Sequence, residues 1–163
     1  MVAQNVVFGV LAFVMIAAGF RVVTTKNVVR AALYLAVVLA GAAGQFLLLA
    51  AEFVGVVQIL VYIGAIVVLL LFGVMLTRAP IGRDADVDND QRWLGALVAL
   101  LLFAALGAVL IDAWGSDEIV FARVQQVGEV SDAIFGPYLI PFEAASILLL
   151  SALVGAVAIA RRD

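Results

Sequence analysis

Gln58 and Tyr62 stand one helical turn apart inside FVGVVQILVYIGAIVVLLLFGVMLT, a run of twenty-five residues (53–77) without a formal charge. At that spacing an amide and a phenolic hydroxyl share a helix face, and within a bilayer they can join a hydrogen-bonded chain along which water or protons pass. On a straight α-helix Gly55, Gln58, Tyr62, Ala65 and Leu69 form one stripe of small and polar groups. Lipid should not see such a stripe, so it is expected to face protein or water. The residues alone leave two readings open, a packing seam satisfied by neighbouring helices or a path for water and protons. At ~1.5 Å per residue the run reaches about 37 Å against a hydrocarbon core of ~30 Å, so it must tilt or spend length on a local irregularity. Gly64 adjoins the stripe and, with the many β-branched residues around it, makes a helix that tolerates a π-bulge.

Two carboxylates sit near expected membrane boundaries. Glu143 follows Pro141 at the start of the last apolar run, where Pro suits a first turn and a carboxylate meets the positive helix end. Its alternative role is a titratable site facing a partner's polar channel, which requires partial burial. Glu52 reads more simply as a loop carboxylate at the outer surface. A metal reading is offered by Asp84, Asp86 and Asp88, at the first, third and fifth positions of a calcium-loop pattern. It fails further on, because Asn89 stands where the turn needs Gly and Gly95 stands where a bidentate Glu is required, so a solvated acidic loop is the better reading.

The elements that hold these residues follow from composition. The chain is 67% hydrophobic and 13% charged, whereas an ordinary soluble domain is about 25% charged. This is the composition of an integral membrane protein, and its 163 residues leave no room for a separate soluble domain. The absence of Cys and His removes iron–sulfur clusters, His-ligated haem and ordinary zinc sites, so any redox cofactor is expected in another subunit. The chain has no Gly-rich phosphate loop, no nucleophile elbow and no basic stripe fit for nucleic acid. Its net charge of -3 implies no acidic partner.

Windows of about twenty apolar residues predict an all-α membrane domain over 1–163 with spans at about 3–23, 30–51, 53–77, 93–113 and 138–160. The connections 78–92 and 114–137 read as loops. A cleaved leader is disfavoured for the first span, because a leader opens with basic residues and here the first charge, Arg21, follows the apolar run. Arg21, Lys26, Arg30, Arg78, Arg83, Arg92, Arg161 and Arg162 fall on one side of the membrane, and Arg123 alone on the other. That asymmetry predicts an N-terminus outside and a C-terminus in the cytoplasm. Trp93, Trp114 and Tyr138 flank spans as interfacial anchors. In the second span Ala40, Gly41, Ala42, Ala43 and Gly44 permit close approach of a neighbouring helix, and Gln45 beside them can hydrogen-bond a partner.

Three segments carry a family resemblance. AEFVGVVQILVYIGAIVVLLLFGVML resembles the third helix of subunit J of NADH-quinone oxidoreductase, the counterpart of chain 6 of mitochondrial complex I. IFGPYLIPFEAASILLLSALVGAVAIARR is similar to that family's C-terminal helix, with its PFE start and small-residue GA step, and TTKNVVRAALYLAVVLAGAAG is similar to its second helix. Together they cover over half the chain in the expected order. The family often has Pro and His where this chain has Val28 and Arg30, and some members have Glu where it has Gln58, an amide that cannot titrate.

The resemblance implies a membrane-arm subunit of a proton-pumping complex that passes electrons from NADH to quinone elsewhere. NADH, FMN, iron–sulfur clusters and quinone would belong to partner subunits, and the chain alone would have no activity. The implied partners are the small subunits A and K together with the quinone-site and antiporter-like subunits, in a bacterial plasma membrane. A π-bulge is implied near Tyr62 to Val67, converting to α-helix to open or close a water path. Tyr62, Gly64, Ala65 and Val67 are therefore the coupling candidates ahead of Gln58 and Glu143. Related complexes take electrons from F(420), ferredoxin or formate through similar membrane subunits, so the donor stays open. Two other functions fit the residues less well. A purely structural packing subunit is separated by mutation, since conservative changes at Tyr62 would then leave pumping intact, and a stand-alone transporter or channel usually carries more intramembrane charge or helices broken at mid-membrane.

Overall fold

A computed structural model describes residues 2–76, 91–115 and 124–161, with the side chain of Arg92 excepted. Thr77, Arg78, Arg83, Asp84, Asp86, Asp88, Asn89, Arg123 and Arg162 lie outside the described residues, and with them the calcium-loop pattern and part of the charge asymmetry. The described residues are helical, without a strand. They form α1 (Val2–Thr24), α2 (Val28–Leu48), α3 (Glu52–Leu76), α4 (Arg92–Trp114), α5 (Val127–Phe135) and α6 (Leu139–Ala160). All but α5 are long and apolar enough to cross a membrane, which makes five candidate spans.

α1, α2 and α3 pack as one unit with α2 in the middle. Small residues on α2 set the spacing, because Gly41 and Ala43 are buried and side chains of the neighbours fill the space above its glycines. A Cβ at Gly41 would collide with Met15 Cγ of α1, and one at Gly44 would lie 3.1 Å from Leu11 Cδ1. On the other side, Leu47 Cδ2 and the Ala43 carbonyl approach Gly55 of α3 to 3.0 and 3.4 Å from where its Cβ would be. The patch of small residues thus serves two helix contacts at once. Gln45 makes no side-chain hydrogen bond among the described residues.

Caps explain where α2 begins and ends. Asn27 accepts from the Arg30 N–H at 3.0 Å, which satisfies an orphan donor of the first turn. Val28 is the first helical residue, a position at which Pro is equally at home, so the departure from the family pattern there costs no geometry. At the other end the Ala51 N–H donates to Phe46 O at 2.9 Å and the Ala50 N–H to Leu47 O at 3.1 Å. This is the Schellman arrangement, with Ala50 at φ 58 in the left-handed region that Gly usually fills.

The connection expected as a loop over 114–137 contains α5, and this corrects the sequence reading. Windows of about twenty apolar residues pass over a nine-residue amphipathic helix, whose apolar positions Val127, Val130 and Ile134 alternate with Glu129 and Asp132. α5 packs on the start of α6, where the Phe135 and Phe142 rings meet edge-on with centroids 5.3 Å apart. No residue in the apolar windows of α4 and α6 is buried by the described remainder of this chain. Both boundary carboxylates lie elsewhere than expected, since Glu52 is not in a loop and Glu143 is not in a first turn. Glu52 is the first residue of α3 and lies in its first turn, whereas Glu143 lies past the first turn of α6, where the end-of-helix field has faded.

Candidate functional site

The centre of α3 is not a regular α-helix. It runs as α over Glu52–Val57, as a π-helix over Gln58–Val67, and as α again over Val68–Leu76. Ile59, Val61, Ile63, Ile66 and Val67 crowd this stretch with β-branched side chains, which weakens the preference for the tighter winding. Gly64 lies within this stretch, and the carbonyl oxygen of Ile59, five residues earlier, is 3.5 Å from where a Cβ at Gly64 would be, an ordinary van der Waals contact.

The π stretch adds one residue to the helical count and so turns everything after it by about 100° relative to a straight α-helix. The side of α3 covered by α2 carries Gly55, Gln58, Ile63, Val67, Leu71 and Val74. The straight-helix stripe through Tyr62, Ala65 and Leu69 is therefore corrected. Its first two members, Gly55 and Gln58, are buried, but Tyr62 is 45% exposed and Leu69 73% exposed on the open side. Ile63 and Val67 take the covered places instead, and Val67 is only 3% exposed.

The candidate residues consequently divide. Gln58 and Val67 are buried, whereas Tyr62, Gly64 and Ala65 line the open side of the same π segment. Glu143 is exposed on α6, which packs chiefly on α5 and joins none of the others. Gln58 is the one buried polar side chain among the described residues, at 9% exposure. It makes no side-chain hydrogen bond to them, although its amide atoms keep a narrow opening to the surface. An amide in that position has two donors and an acceptor to satisfy, and in an apolar surrounding a group from outside the chain or a water must supply the partner. Sequence reasoning places Gln58 behind Tyr62 because an amide does not titrate. The signal it lacks is burial, which depends on the packing of α3 against α2.

The winding of this segment decides which polar groups can meet. In the π register Gln58 faces inward and Tyr62 outward, so their polar groups are separated. Rewinding the segment as α-helix would return Tyr62 to the side of Gln58, one turn below it, and create a continuous amide–hydroxyl pair inside the seam.

The family model described as NADH-ubiquinone/plastoquinone oxidoreductase chain 6 matches residues 18–159, which include the whole of α3. The chain is 40% identical over 165 residues to the NAD(P)H-quinone oxidoreductase chain 6 of Synechocystis sp., covering 98% of this chain and 82% of the relative. It is 40% identical over 167 residues to the F(420)H(2) dehydrogenase subunit J of Methanosarcina mazei, covering 98% and 92% of the two chains. It is also 37% identical over 157 residues to the NADH-quinone oxidoreductase subunit J of Pseudomonas aeruginosa, covering 92% of each. With five apolar helices and a match over nearly the whole chain, this protein belongs to the chain 6, or subunit J, family of NADH-quinone oxidoreductases.

Proposed function

We propose that the chain is a membrane-arm subunit of a proton-pumping NADH:quinone oxidoreductase, and that α3 couples quinone reduction elsewhere in the complex to proton movement by changing register. The observation that carries this reading is the π segment with Gln58 on its covered side and Tyr62 on its open side. A helix with two windings of similar energy is a bistable element, and a neighbouring subunit that favours one winding through its contacts with the open side biases the other face as well. In the α winding the Tyr62 hydroxyl and the Gln58 amide extend a hydrogen-bonded chain through the seam. In the π winding that chain is broken.

The chain would contribute no redox chemistry of its own. NADH, FMN, iron–sulfur clusters and quinone are assigned to partner subunits. The small subunits A and K, with the quinone-site and antiporter-like subunits, are the partners proposed for the uncovered faces of α3, α4 and α6. The proposed setting is a bacterial plasma membrane with the N-terminus outside and the C-terminus cytoplasmic, in keeping with Arg21, Lys26, Arg30 and Arg161 at one end of the described spans. Relatives named for NAD(P)H and for F(420)H(2) are equally similar to this chain at 40% identity, so the electron donor is set by the attached module and not here. Glu143, beyond the first turn of α6 and uncovered, is a second candidate for contact with a partner's polar channel.

The test is purification of the complex through this chain in mild detergent, followed by reconstitution into vesicles. Recovery of NADH-dependent quinone reduction with proton pumping is expected. Tyr62→Phe removes one hydrogen-bonding group and is expected to lower pumping roughly fivefold while the complex still assembles. Unchanged pumping in that variant would favour a purely structural packing role.

A further inference from the structure

We propose that the cavity at the α2–α3 turn is a binding site for a phospholipid whose headgroup carries a primary ammonium. The cavity has a volume of about 420 Å³ and is lined by Gln4, Leu48, Glu52, Phe53, Gln125 and Val130, among others. It sits where α1 begins, α2 ends, α3 begins and the chain enters α5, so all of its walls lie at one membrane face. That is the level at which hydrocarbon gives way to headgroups.

The lining is divided as an amphiphile is. Leu48, Phe53 and Val130 supply an apolar wall, and the polar groups are two amides and a carboxylate. Gln4 Nε2 is occupied by the Leu48 carbonyl at 3.1 Å, which leaves the Gln4 carbonyl oxygen as an acceptor. The Glu52 carboxylate is exposed in the same wall. The acceptors that are described, the Glu52 carboxylate and the Gln4 carbonyl oxygen, suit a ligand that brings positive charge and donors, and a primary ammonium brings three N–H groups. The phosphodiester of the same molecule also finds partners. Ala51 provides no side-chain cap for α3, so the first-turn N–H groups of Phe53 and Val54, both in the cavity wall, have no acceptor within the helix. A zwitterionic ethanolamine headgroup matches this pairing of carboxylate and free N–H groups. An anionic headgroup would leave Glu52 opposed, and a choline headgroup offers it no N–H. This inference rests on the cavity alone and does not depend on the coupling role of α3.

The experiment places a benzophenone amino acid at Phe53 in the intact complex, reconstituted into vesicles of equimolar phosphatidylethanolamine and phosphatidylcholine. Adducts are identified by mass after illumination. Both headgroups are cationic at nitrogen, so the difference is the N–H hydrogen bond to Glu52: ethanolamine adducts are expected in about two- to fivefold excess over choline adducts, the lower range of one net hydrogen bond, and the excess is expected to vanish in Glu52→Gln. An adduct with another subunit, or lipid adducts in the ratio of the vesicle, would overturn the proposal. The comparison of the two lipids with Glu52 in place decides the matter even if Glu52→Gln fails to assemble.

Discussion

Gln58 and Tyr62 are four residues apart on one helix and yet lie on different sides of it, Gln58 being 9% exposed and Tyr62 45%. On a straight α-helix residues at that spacing share a face. The π-helical Gln58–Val67 segment is what separates them. If that separation is the functional state variable, removing the extra residue should abolish it. Deleting Ile63 is expected to rewind the segment as α-helix while Val67 and Leu71 keep their covered places, since the deletion cancels the single-residue offset. The complex should assemble and reduce quinone but lose most of its proton pumping, as measured by vesicle acidification per NADH oxidised. Pumping at the original ratio would show that the π winding is dispensable.

Gln58→Leu separates hydrogen bonding from packing. Replacing a nearly buried amide by an apolar side chain of similar size removes its need for a partner, so assembly and thermal stability should be unchanged or slightly improved. Pumping should nevertheless fall, because the seam would lack its only buried polar group among the described residues. Equal pumping in Gln58→Leu and the original chain would assign the amide to packing alone.

Gly41→Val tests the contact on which the three-helix unit depends. The added side chain would overlap Met15 Cγ and force α1 from α2. Overpacking of this kind costs about 1–3 kcal/mol, which should appear as a lower midpoint for thermal dissociation of the purified complex. Gly9→Ala, in a position where nothing lies within 4 Å, is the matched control and should leave the midpoint in place.

Ala50→Gly should raise stability. The left-handed conformation at φ 58 strains an L-residue by roughly 1–2 kcal/mol, and Gly removes most of that strain while adding some freedom to the unfolded chain. A net gain of about 1 kcal/mol is expected in thermal dissociation. Asn27→Ala should shift it the other way by a similar amount, about 1 kcal/mol, through loss of the cap on Arg30 N–H.

Local hydrophobicity is a property of consecutive residues, and for that reason the five spans were legible in the chain alone, as was the family through PFE and the α3 run. The small-residue patch around Gly41 was legible on similar grounds, since close approach requires small side chains wherever the partner helix comes from. Three features emerged only once the helices were packed. α5 is too short and too amphipathic for a hydropathy window, and its helix is completed by contact with α6. Glu52 opens a helix and Glu143 falls past a first turn because helix starts depend on caps and turns a few residues away, such as the Schellman turn at Ala50. Which side of α3 is covered depends on the π winding over Gln58–Val67 and on the packing against α2. The close fit of Leu47 over Gly55 and the burial of Val67 hold its two ends against α2 with one residue too many between them.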